Sequence, residues 1–145
     1  MLFSTVDDKQ VLIRFFIAGL VAGIFLASNT VLGAERVPVM IGGDTDVDAC
    51  GAVGEVRGLD DFRGDGFLSV RKGPGSQYLE IDRLHNGDQV YLCNDRGNWA
   101  GIIYSTGGNL SASCNVSSSI ANKQSYRGPC KSGWAYMKWL KLIAE

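Results

Sequence analysis

The residues able to do chemistry are few. The one histidine, His85, stands in His85-Asn86-Gly87-Asp88, and Asn-Gly is a strong turn signal. A histidine in a turn is solvated, so general acid–base work is not expected of it. Serines are plentiful, but no Ser–His–Asp set can be assembled from spacing alone, and a Cys–His nucleophile pair needs a free thiol. A small hydrolase is therefore the remotest reading, and no catalytic residue is assigned. Cys50, Cys93, Cys114 and Cys130 contain no Cys-x-x-Cys, and one histidine cannot complete a zinc set. Asp44, Asp46 and Asp48 alternate ahead of Glu55, which mimics the acidic positions of a calcium loop. Ala49 stands where such a loop needs glycine, and no flanking helices are visible, so a solvated acidic linker is expected. Neither a metal nor a cofactor is expected.

The cysteines make better sense as disulfides. Residues 1–34 have the order of an export signal: a polar start with Lys9 and Arg14, the uncharged run FFIAGLVAGIFLAS at 15–28, then Gly33-Ala34 before Glu35-Arg36. Cleavage after Ala34 is expected. The alternative is an uncleaved anchor, because residues 15–34 have the length of a membrane-spanning helix. Either way the chain works beyond the cytoplasm, in a periplasmic or secreted setting or anchored in the inner membrane. An even cysteine count in an oxidising compartment predicts two bridges, with three pairings possible. The preferred pairing is Cys114–Cys130 with Cys50–Cys93. The first closes a short loop and contributes roughly 3 kcal/mol in the chain-entropy view.

The 145 residues have room for one domain plus a targeting segment. A net charge of −1 gives no global attraction to nucleic acid. The balance is uneven, with 12 acids and 6 bases over residues 35–95, then 6 bases and no acid over 96–144. The two halves can pair and cancel. Alternatively Lys123, Arg127, Lys131, Lys138 and Lys141 form a basic face suited to cell-wall polymers or lipid head groups.

The elements that must position these groups read as strands. Residues 35–48 are a linker, and 49–145 form the domain. ACGAVGEVRGLD at 49–60 alternates like a strand, and its glycines mark it as an edge strand or a bulged one. Arg63-Gly64-Asp65 reads as a turn. Leu68-Ser69-Val70-Arg71 has period two, with one face buried. Lys72-Gly73-Pro74-Gly75-Ser76 must be a loop, and residues 78–84 form its return arm. Gln89–Cys93 and Trp99–Tyr104 are strands with a turn at 94–98. Residues 105–132 are a Ser/Gly/Asn-rich insertion, long enough to need bracing. Gly133–Lys138 reads as a strand, Trp139-Leu140 as a helical turn, and Lys141–Ile143 as a last strand.

Across 68–104 and 133–140 the sequence resembles the bacterial SH3 domain family. The resemblance runs through Leu68, Val70, Arg71, Gly73-Pro74, Tyr78, Ile81, Leu84, Gly87, Val90, Leu92 and Trp99. Gly133-Trp134-Ala135 and Leu140 close it. It implies an all-β fold, a small SH3-like barrel of five to six strands, and an exported module that binds peptidoglycan, cell-wall peptide or an extended polypeptide without catalysis. The ligand groove it implies draws on Tyr78, Trp99, Tyr136 and Trp139, with Trp134 read as a core residue. Arg71, on the strand face opposite Val70, joins the groove candidates as a residue able to reach a carboxylate, or else covers apolar surface with its stem. The chain departs from the family in its N-terminal strand carrying Cys50 and in the insertion with two cysteines. The second reading is accordingly a protein–protein interaction or inhibitor protein acting through the braced insertion. It predicts that deleting 106–131 abolishes capture while the barrel still folds.

Overall fold

The computed structural model of the chain describes residues 34–63 and 66–145. The expected export segment, save Ala34, and the Gly64-Asp65 half of the expected turn lie outside the described residues. Within the described part no helix is long and apolar enough to cross a membrane.

The fold is mostly β, as the alternation predicted. Among the described residues nine strands are formed: β1 (Met40–Ile41), β2 (Ala52–Val56), β3 (Leu68–Arg71), β4 (Glu80–Leu84), β5 (Gln89–Arg96), β6 (Trp99–Tyr104), β7 (Gln124–Ser125), β8 (Lys131–Tyr136) and β9 (Leu140–Ala144). Seven make one antiparallel sheet in the order β4-β3-β8-β6-β5-β2-β9, and β1 pairs with β7 in a small second sheet. The closed barrel expected from the resemblance is not formed. β9 makes its ladder with β2 and β4 makes its ladder with β3. No register joins β4 to β9, so the sheet keeps two edges.

Period two explains why the centre of this sheet is buried twice over. Every residue of β6 from Ala100 to Tyr104 is buried. Ala100, Ile102 and Tyr104 face one core with Val56, Leu68, Val70, Leu84, Val90 and Ala135. Ile103 faces a second core with Val39, Ile41, Ala49, Cys50, Tyr91, Cys114, Val116 and Trp134. A continuous apolar strand needs cover on both faces, and the second cover comes from residues outside the sheet.

That cover corrects the expected linker and the expected start of the first strand. Residues 37–43 are not linker, and Ala49 and Cys50, expected to open a strand, are buried in the same core ahead of β2. The Trp134 indole Nε1–H donates to the Val37 carbonyl at 2.8 Å, Val37 N–H donates to Lys72 O at 2.9 Å, and Val39 and Ile41 are buried. Only 44–48 is the solvated acidic stretch, where Asp46 N–H donates to the Asp44 carboxylate in a local turn. The insertion is braced by more than its disulfide. Ala49 N–H donates to Ser118 O and Gly43 N–H to Ile120 O, so it folds back on the N-terminal arm. The arm and the insertion satisfy each other's backbone groups, which neither could do alone.

Boundaries differ for local reasons. β2 is interior, lying between β5 and β9, and it carries the predicted irregularity at Val53/Gly54. The return arm of the Pro74 loop is itself strand β4. The expected turn at 94–98 shrinks, because β5 continues to Arg96. Asn94 reads as a turn residue, but its side-chain oxygen instead accepts from Met40 N–H at 3.1 Å. The β5–β6 register shifts between Leu92 and Asn94, which leaves Cys93 as the odd residue of the irregularity. Cys93 bonds to Cys50, and Cys114 bonds to Cys130, the pairing preferred from spacing.

Candidate functional site

The five residues expected to line a groove fall into two pairs and a separate tryptophan. Arg71 Nη1 donates to the Tyr78 carbonyl at 2.9 Å, and the Tyr78 ring lies over Gly73, where a Cβ would collide with it. Together they staple the Pro74 loop. Trp99 and Tyr136 sit opposite each other in the β6–β8 register and pack edge to face, with ring centroids 5.5 Å apart. Trp139 packs near Gly58, accepts Arg57 N–H on its carbonyl at 3.0 Å and carries the Lys138 ammonium over its ring at 4.7 Å. None of the five lines any of the cavities described below. Trp134 is fully buried, as read from sequence.

His85 is exposed in its turn, with its N–H donating to the Asp88 carboxylate at 2.8 Å. Among the described residues no cluster of acids, cysteines or histidine could hold a metal ion.

The main concavities instead follow the insertion and the arm. One, lined by Ile41, Ile120, Tyr126 and Arg127, shares residues 125–128 with a second that includes Glu35, Arg36 and Val39. The second shares Arg36, Cys130 and Ser132 with a third, and the third shares Asp82, Tyr104 and Lys131 with a fourth beside His85 and Asp88. Four concavities are thus linked in series by the residues they share. The wall between the first two is firm: the Tyr126 hydroxyl donates to Cys114 O and accepts from Cys130 N–H, each at 3.0 Å. That hydroxyl cross-braces the loop closed by Cys114–Cys130.

The third concavity has the most organised polar groups. β3 and β8 pair in register only at Arg71 and Trp134, so Lys131 and Ser132 at the start of β8 have no ladder partner in β3. Arg36 fills that role: Nη2 donates to Ser132 O at 2.6 Å and to Ser132 Oγ at 3.2 Å. Below it, Asp82 Oδ2 accepts from the Tyr104 hydroxyl at 3.0 Å and from Lys131 Nζ at 2.8 Å. Burial works against the Asp82 charge. Hydrogen bonds from Lys131, the Arg83 backbone and Tyr104 outweigh it and hold the carboxyl below its usual range. Burial, then the Asp82 hydrogen bond and charge, push the Tyr104 phenol well above its ordinary value. The phenol therefore stays protonated and donating. Of the expected basic face, Lys131 is paired here and Lys138 covers Trp139, while Arg127 remains exposed along the concavities.

Sequence reasoning missed Arg36, Asp82, Tyr104 and Ser132. Arg36 looked like the second residue after a cleavage site, Asp82 like part of a loop's return arm, Tyr104 like an ordinary strand residue and Ser132 like the end of the insertion. The only available signal was the unbroken apolar run of β6, which demands cover from somewhere. No family model matches the chain, and no curated protein or solved structure matches it.

Proposed function

We propose that the chain is an exported, non-enzymatic binding module of bacterial SH3 type, recognising peptidoglycan, cell-wall peptide or an extended polypeptide. On this reading the capturing surface lies along the arm and insertion rather than on the aromatic residues of the family groove. The observation that carries it is the run of concavities from Ile120 to Asp88, walled by a loop that a disulfide and the Tyr126 hydroxyl hold rigid. A series of preformed concavities suits an extended chain, because little ordering entropy is lost on the protein side. Two disulfides fit an oxidising or extracellular compartment.

The fold also changes the right test. Deleting 106–131 removes Cys114 and Val116 from a core, so it would damage folding as well as any site. Point changes on exposed positions are cleaner. The oxidised protein should be retained on purified cell-wall sacculi, and Arg127→Ala should weaken retention several-fold while Trp99→Ala leaves it unchanged. The reverse pattern would return the site to the aromatic pair. No retention at all would refute wall binding and leave the second reading, a protein-binding or inhibitory role of the insertion. Crosslinking in the native envelope would then identify the partner.

A further inference from the structure

We infer that the concavity between Arg36 and Lys131 is a carboxylate cradle for the C-terminal end of an extended peptide. The polymer in this inference rests on the binding-module reading above, whereas the carboxylate site rests on the cradle itself.

Three side chains with donors to spare line a space of ≈ 350 Å³. Arg36 uses one guanidinium N–H on the Ser132 backbone, which fixes its plane and leaves other N–H groups available. Among the described residues no carboxylate forms an ion pair with it. Lys131 gives one N–H to Asp82 and has two more. The Ser132 hydroxyl accepts from Arg36, so its own proton is free to point elsewhere. A planar guanidinium beside an ammonium and a hydroxyl matches the planar fork of a carboxylate.

The charge count selects the anion. Arg36 and Lys131 against Asp82 leave the cradle with one net positive charge. That favours a monoanion and disfavours a dianionic phosphate, which would meet the Asp82 carboxylate. The walls select what carries it. Ile81, 36% exposed, and the Cys130 half of the disulfide give apolar surface beside the donors. A terminal residue with a small apolar side chain would place its carboxylate on Arg36 and its methyl group on Ile81. The rest of such a peptide has a path through the neighbouring concavity toward Arg127.

The test titrates N-acetyl-alanyl-alanine, as free acid and as C-terminal amide, into the oxidised full-length protein. Amide shifts are followed by NMR and sacculus retention is measured in parallel. The free acid should move the Arg36, Lys131 and Ser132 resonances. The amide and the Arg36→Gln variant should each weaken binding at least about tenfold, with Arg36→Lys recovering part of it. Arg36 is exposed and outside both cores, so Arg36→Gln should unfold at the same denaturant concentration as the parent. Equal binding of acid and amide, or shifts confined to other residues, would overturn the inference. Sacculus retention that is indifferent to Arg36→Gln would also overturn it while leaving the binding-module reading intact. Acid-specific shifts without sacculus retention would do the opposite.

Discussion

Gly101→Ala separates a packing argument from a propensity argument, because the two give opposite signs. Gly101 lies mid-strand in β6 with no unusual backbone angle, opposite Trp134. By propensity alone, alanine should stabilise the strand by about 0.4–1 kcal/mol through the unfolded chain. In the structure a Cβ at Gly101 would overlap Asn94 Oδ1, with Asn94 Cγ at 3.1 Å and Val39 Cγ1 at 3.2 Å. Asn94 cannot yield freely, since that oxygen accepts from Met40 N–H. Forcing it away leaves a part-buried N–H unsatisfied, at about 1–3 kcal/mol. Crowding Val39 against the strand adds about 1–3 kcal/mol. With the propensity gain subtracted, the central expectation is a loss of about 3 kcal/mol. For a small domain this lowers the urea midpoint by about 1–3 M. The assay is equilibrium urea unfolding with disulfides intact, plus hydrogen exchange at the Met40 amide, which should lose its protection. Gly51→Ala is the control, because nothing lies within 4 Å of a Cβ there and its φ is ordinary. A Gly101→Ala protein as stable as the parent, with Met40 still protected, would refute the packing of the arm on β6.

Two further outcomes follow from the same structure. Replacing Cys50 and Cys93 together by serine, with a sequence separation of 43, should cost about 4 kcal/mol, whereas replacing Cys114 and Cys130, with a separation of 16, should cost about 3 kcal/mol; urea midpoints in the reverse order would count against the loop-entropy account. Asp82 has a folded pKa below its unfolded one, so its contribution is present above about pH 3.9 and fades as pH falls through the folded value. Tyr104 has a raised folded pKa, so its contribution is intact below about pH 10 and fades as pH rises beyond it. Asp82→Asn should flatten the acid limb of the stability–pH curve and Tyr104→Phe the alkaline limb, read from thermal midpoints across pH; unchanged limbs would refute the Asp82–Tyr104–Lys131 assignment.

How far the sequence could be read depended on whether a feature is local. Leu68–Arg71 and Trp99–Tyr104 were legible to the residue, because period two and an apolar run are properties of the strand itself. The Asn86-Gly87 turn was legible for the same reason, with Gly87 at φ +91°. The disulfide pairing was legible because loop length and compartment limit the choices. β4 was missed because Glu80, Asp82 and Arg83 mask its alternation. Asn94 was misread because a side chain that closes a local turn can equally bind a distant backbone amide. The separation of the five groove residues was not legible for a different reason: Arg71 and Trp99 each pack on a nearby partner, and only the tertiary structure brings those partners to them.

The sequence by itself determined a mostly β chain with two disulfides, and it determined which residues alternate toward a core. Tertiary structure decided that β6 is covered on both faces, that the apparent linker supplies part of one cover, and that the sheet stays open. It also decided which polar residues meet. Arg36 and Ser132 are 96 positions apart, and Asp82 and Lys131 are 49 apart. No periodicity spans such distances, because those meetings are fixed by strand order and by the backbone groups each segment leaves unsatisfied.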